Sequence, residues 1–109
     1  MRPKAARENE RILAQVDSYG GGYVWEREFF GVMLMDVAIA DTEAANLCGL
    51  TGVQQIVLNA SRLSFATLQK IASIPGLESL VLSGITLSRK QRSQLASGGP
   101  KVEFANHSS

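Results

Sequence analysis

The apolar positions of the central chain recur at a fixed step. Residues 53–76 read VQQIVLNASRLSFATLQKIASIPG and residues 77–100 read LESLVLSGITLSRKQRSQLASGGP, so the second segment starts 24 residues after the first. In this register Val53 lies over Leu77, Ile56 over Leu80, Leu58 over Leu82, Leu63 over Leu87, Ser64 over Ser88 and Ile71 over Leu95. One period earlier, Phe29 falls under Val53, Val32 under Ile56, Leu34 under Leu58, Ile39 under Leu63, Leu47 under Ile71 and Leu50 under Ile74, which makes residues 29–52 a third copy. One period later come Lys101, Phe104 and Asn106, a half-copy that predicts a last strand over 101–105 and no helix. A period of this size marks a repeat whose unit is one supersecondary element, too small to bury its own apolar face.

Each copy reads as a strand, a turn and a short helix. In the second copy the strand covers 54–58, and Ser64 is placed to cap the helix that follows by accepting from a free N–H of its first turn. In the third, Ser88 stands three residues before Gln91, the form of a capping box. Asp41 or Thr42 can serve the first copy. The helices are predicted over 42–48, 65–73 and 89–96, and Gly49, Pro75 and Gly98 with Gly99 stop them. Strand, helix and strand in this order predict parallel pairing through right-handed crossovers.

The repeat does not extend to the N-terminus, since Ala5, Glu8 and Glu10 do not match. Residues 5–19 instead predict an amphipathic helix with Ile12, Val16 and Tyr19 on one stripe and Leu13 beside them. Gly20, Gly21 and Gly22 end it. Tyr23, Val24 and Trp25 are strand formers that can pair, across Glu26, Arg27 and Glu28, with the stretch 29–39 as a hairpin. Residues 1–28 thus read as a cap, 29–105 as the repeats, and 106–109 as a disordered tail, all within one domain of 109 residues. Residues 1–4 are expected to fray.

The segments LESLVLSGITLS and VQQIVLNASRLS resemble the L-x-x-L-x-L-x-x-(N/C/T)-x-L signature of leucine-rich repeats, here of a short 24-residue kind. The resemblance covers residues 29–105. At the signature's small polar position stand Val37, Ser61 and Ile85, of which only Ser61 could bond the turn backbone. The resemblance implies an α/β fold: a short right-handed solenoid with a parallel sheet, helices on the convex side, and an N-terminal helix plus hairpin strand as cap. Side chains between the signature leucines then form the concave face, in rows of Gly31, Gln55, Ser79 and Glu103; Met33, Val57, Val81 and Ala105; and Met35, Asn59 and Ser83. The middle row is apolar, and methionine adapts to irregular partners, so the candidate protein-binding face comprises Met33, Met35, Gln55, Val57, Asn59, Ser79, Val81 and Ser83. Two readings compete with docking: β-propensity alone, or cover supplied by the chain's own N-terminal segment.

Composition narrows the function classes. Eleven Lys plus Arg against ten Asp plus Glu leave a formal net charge of +1, which gives no field to draw nucleic acid or an anionic membrane. The first twenty residues hold no apolar leader core, and no apolar run reaches the ~20 residues of a membrane helix. The reading is a soluble, cytoplasmic chain. Cys48 is the only cysteine, which excludes an internal disulfide and a cysteine-based zinc site, and its alignment with Ala72 and Ala96 predicts a core thiol. His107, the only histidine, lies in the tail, and the glycine run follows a helix where a phosphate loop would precede one. The pairs Glu26 with Glu28 and Asp36 with Asp41 read as solvated carboxylates. Arg89, Lys90 and Arg92 form the one dense basic cluster, without interleaved aromatics, and read as a solvated helix face. No enzyme, metal or cofactor is expected.

The expected function is a non-catalytic protein-protein interaction module with an unidentified protein partner. The last strand has no covering helix, and its open C-terminal edge invites homo-oligomerisation. The alternatives are a small α/β accessory or ligand-binding domain, with helices on both faces of a doubly wound sheet, and a self-associating structural unit. The register makes Leu82 a core residue: Leu82→Ala should cost about 2–5 kcal/mol in urea unfolding. A loss below about 0.5 kcal/mol, the range of surface substitutions, would contradict that placement.

Overall fold

Five strands lie side by side in chain order in the computed structural model, which describes residues 4–104, with side chains from residue 7 onward. They are β1 (Gly22–Trp25), β2 (Phe30–Ala38), β3 (Gln55–Asn59), β4 (Ser79–Ser83) and β5 (Lys101–Phe104). β1 pairs antiparallel with β2, and every later pair is parallel. Helix α1 (Lys4–Ser18) precedes β1, and α2 (Asp41–Ala45), α3 (Phe65–Ala72) and α4 (Arg89–Ala96) fill the three parallel connections. A 3-10 turn, Asn46–Gly49, extends α2. No helix among the described residues is long and apolar enough to cross a membrane.

The inward rows of the sheet are the predicted ones. Val32, Ile56 and Leu80 stand abreast, as do Leu34, Leu58 and Leu82, and all six are buried. Leu47, Ile71 and Leu95, one per copy from the helical layer, are fully buried in the same core. Burying such side chains, at about 1.5–3 kcal/mol each, is what a single copy could not achieve alone. The helices adjoin one another in chain order, α1 through the 3-10 turn to α2, then α3 and α4, and form one layer over this face. The sheet is open and not curled, so its other side is a flat open face where a concave one was expected.

The 24-residue step holds between β2 and β3 (Gly31 to Gln55) and between β3 and β4 (Gln55 to Ser79). It fails at β5. Ser79 pairs with Lys101, 22 residues on, so the expected alignment of Ser79 with Glu103 and of Val81 with Ala105 is corrected to Lys101 and Glu103 respectively. The cause is the link after the last helix: residues 97–100 carry the chain from α4 to β5, where residues 73–78 are used between α3 and β4. Tight turn bonds, Gly98 N–H to the Leu95 carbonyl at 3.1 Å and Gly99 N–H to that of Ala96 at 3.0 Å, close the shorter link. Ala105, the tail 106–109 with His107, and residues 1–3 lie outside the described residues. Lys4, expected to fray, begins α1.

Capping follows the serines. Ser64 Oγ accepts from Thr67 N–H at 3.3 Å, and Ser88 and Gln91 form the reciprocal box at 3.1 and 3.0 Å. The first copy departs from expectation. Its cap is Ala40, whose N–H donates to Glu43 Oε1 at 2.9 Å, while Asp41 reaches forward to accept from Ser64 N–H at 2.9 Å. That backbone N–H, and then the Thr67 hydroxyl, hold the Asp41 carboxyl below its ordinary range. Phe29, aligned with the core residue Val53, is 38% exposed; Phe30 takes the buried place and stacks on Trp25 at 5.2 Å between ring centroids.

The N-terminal helix packs Ile12, Leu13 and Val16 into the common core. Asn9 fastens it. Its buried carboxamide donates to the Thr51 carbonyl and accepts from the Thr51 N–H, both at 2.8 Å. Gly21 lies so close to β2 that a Cβ would fall 2.3 Å from the buried Leu34 Cδ2 and 2.9 Å from the Met33 carbonyl oxygen, a space that suits glycine. Asn9→Ala leaves both Thr51 groups without their partner and should cost about 1–3 kcal/mol. Denaturant unfolding of the two proteins checks this; a loss within about 0.5 kcal/mol would mean that α1 is held by its apolar stripe alone.

Candidate binding surface

Strand residues between the buried rows point to the side that no described helix covers. Met33 is 48% exposed and Met35 41%, and Val57 and Val81 are half-buried beside Met33. Met33, Val57, Val81 and Glu103 form one row across β2 to β5, so the apolar stripe ends in a carboxylate at the C-terminal edge. Lys101 Nζ lies 3.7 Å from Glu103 Oε1 there. A second row runs Gly31, Gln55, Ser79 and Lys101.

The third row differs from expectation. After Leu34 the β2 register slips, and Ala38, not Met35, pairs with Asn59. Met35 and Asp36 instead line a shallow recess with Met33 and Gly20, Gly21 and Gly22. Asn59 is engaged by its own turn and Ser83 by the neighbouring strand β3. Asn59 Oδ1 accepts from Ser61 N–H at 3.1 Å, and Ser83 Oγ donates to the Leu58 carbonyl at 3.3 Å. Asn59 thus performs the turn-bonding role that the sequence assigned to Ser61. Of the eight candidate residues, Met33 and Met35 are exposed and Gln55, Val57, Asn59, Ser79, Val81 and Ser83 are half-buried.

One contributor escaped the sequence reading. A Cβ on Gly31 would sit 2.7 Å from the Phe29 ring, so the ring reaches over Gly31 on the open face. Phe29 and Val24, which pairs across from Gly31, extend the apolar stripe toward β1. The missing side chain at Gly31, next to a large aromatic two residues earlier, was the available signal. The N-terminal segment does not cover the stripe as far as it is described: α1 packs in the core on the opposite side.

Elsewhere the chemistry is sparse. Among the described residues no group of three or more His, Cys, Asp and Glu could hold a metal ion. Cys48 is half-buried, at the lip of an open groove with Ala45, Ala66, Gln69, Lys70 and Ser73. It is less enclosed than the core position expected; of its aligned residues Ala72 is buried and Ala96 exposed. Burial pushes its thiol up, against the opposing charge of Lys70, which keeps it protonated and a poor nucleophile. In the basic cluster Arg92 places its guanidinium 4.6 Å from the Phe104 ring centroid, and Arg89 and Lys90 are exposed.

No protein-family model, curated protein or solved structure matches the chain.

Gly84, at φ +74°, adjoins the Asn59 turn: a Cβ there would lie 2.8 Å from Asn59 Oδ1. Gly84→Ala should therefore lose about 1–2 kcal/mol for the left-handed backbone and more for the displaced Asn59. Gly52, at φ +83° with nothing within 4 Å, is the control. Equal losses at the two positions in denaturant unfolding would mean that the Asn59 contact contributes nothing.

Proposed function

We propose that this chain is a non-catalytic protein-interaction module, a short leucine-rich-repeat-like stack that docks a protein partner on the open face of its sheet. One observation carries the reading. The strands that bury Ile56, Leu58, Leu80 and Leu82 on one side present Met33, Val57 and Val81 on the other, where a solvated sheet normally shows polar residues. Phe29 and Met35 widen the stripe, and flexible methionines suit a partner of irregular apolar relief. The Lys101 and Glu103 pair gives the stripe a polar rim at β5. The regular parallel step and the uninterrupted helical layer support the solenoid reading; the resemblance of LESLVLSGITLS supports its kinship.

The test is capture of partner proteins from the source cell by the wild-type chain and by a double variant, Val57→Asp with Val81→Asp. The variant should lose the wild-type partners while its circular dichroism is unchanged, since both side chains sit outside the core. A helix-face control, Arg89→Glu with Lys90→Glu, should retain them. Undiminished capture by the double variant would contradict docking on this face.

A further inference from the structure

We propose that two copies of this chain pair through the outer edge of β1, antiparallel and centred on Val24, to make one continuous sheet. The proposal goes beyond docking on the open face and stands on the main-chain edge of β1, sharing only Val24 with that face.

The parity of β1 identifies its free groups. Glu26 N–H donates to the Phe29 carbonyl at 2.8 Å, so this is a hydrogen-bonded pair, and alternation along an antiparallel ladder makes Val24 with Gly31 and Gly22 with Met33 the next bonded pairs. Tyr23 and Trp25 therefore direct their N–H and C=O groups away from β2. Gly21 obeys the same parity, turning its N–H outward to the Val16 carbonyl at 3.0 Å. The result is a short edge with two residues whose outward main-chain groups have no partner among the described residues. Natural edges are normally blunted by charge, proline or a bulge, and the sequence Gly22, Tyr23, Val24, Trp25 has none of these. The opposite edge has two: Pro100 precedes β5, and Lys101 and Glu103 lie within it. This contrast favours β1 over the C-terminal edge for self-association.

A second copy fits this edge in one register. With Val24 opposite its own mate, Tyr23 of each copy faces Trp25 of the other, and these outward pairs exchange their N–H and C=O groups. The arrangement is self-complementary, as a twofold interface requires. Tyr23 is 46% exposed and Trp25 39%, both on the helix side of the sheet, where Trp25 already stacks on Phe30. The mate's Tyr23 would continue that aromatic row. Charges are compatible as well. The hairpin tip, Glu26 to Glu28, falls opposite Gly22, Gly21 and Gly20, so no like charges meet. Arg27 comes opposite Gly21, which is bonded to Val16 and adjoins the exposed Asp17.

The interface is small. Taking 150–250 Å² for a whole aromatic side chain, the two rings leave roughly 150–200 Å² in water per copy. This is far below the ~1,200 Å² total of a stable complex, so the dimer is weak and concentration-dependent. Pairing joins two open faces into one surface, on which a bivalent partner gains avidity.

The register gives a sharp test. Val24 and its mate form a non-hydrogen-bonded pair with Cα atoms about 4.5 Å apart, within disulfide reach. In a Cys48→Ala background, Val24→Cys should give a covalent dimer under mild oxidation, and Lys101→Cys should not. For the wild type, light scattering after size exclusion should move from 11.7 kDa toward twice that mass as the concentration rises from micromolar to millimolar. Trp25→Lys should hold the mass at the monomer value with circular dichroism intact, and Tyr23→Pro, which removes only an outward N–H, serves as the second variant. The Val57→Asp, Val81→Asp chain should still dimerise. A monomer at every concentration, as expected if the edge receives an extended segment of another protein, overturns the pairing. So does a dimer that survives both β1 variants or yields to the open-face variant.

Discussion

A strand buries one face and shows the other, and the direction of each crossover decides which face a helix can cover. Three successive crossovers here return the chain to the next strand in line, and each sets its helix against the same side. With the two inner steps equal at 24 residues, Leu47, Ile71 and Leu95 arrive in the same place over consecutive strands and close a common core. Everything else in the molecule follows from this one-sided packing. The helical layer is continuous, the core is a single cluster, and among the described residues no layer lies against the other face of the strands.

The two ends solve the edge problem differently. At the N-terminus a helix that is not part of the repeat fills the first open position of the helical layer, and the Asn9 carboxamide locks it to Thr51 through two backbone bonds. The chain then turns at its glycines to lay β1 antiparallel against β2. At the C-terminal edge, where the described residues close with β5, Arg92 of α4 reaches over Phe104, and a local ion pair lies along the edge. Buried satisfied polar groups of the Asn9 kind cost little when paired and much when orphaned, so they fix geometry more than they add stability.

Much of this architecture was legible in the sequence because its determinants are local and periodic. Alternation named the inward rows, and Ser64 and Ser88 named the helix starts. What escaped depends on contacts between distant residues. The two-residue slip at β5 arises from a shorter link after α4, which a period read from apolar positions cannot see, since Val102 and Phe104 alternate as plausibly as the expected Phe104 and Asn106. Asp41 looked like a cap for its own helix, yet its carboxylate is spent on Ser64 in the next copy. The open face was readable as a set, but not its internal bonds: Asn59 serves its turn, Ser83 bonds the Leu58 carbonyl of the strand beside it, and Phe29 leaves the core row to lie over Gly31.

The central claim is that the face bearing Met33 and Met35 is bare in the folded chain and serves as the docking surface. Methionine oxidation by dilute peroxide, followed residue by residue by mass spectrometry, tests it directly. The account predicts that Met33 and Met35 of the native protein oxidise at rates close to those of methionine in an unfolded peptide, and that both slow when the captured partner is bound. Protection of the two residues in the isolated native chain, at a level released only by denaturant, would contradict it.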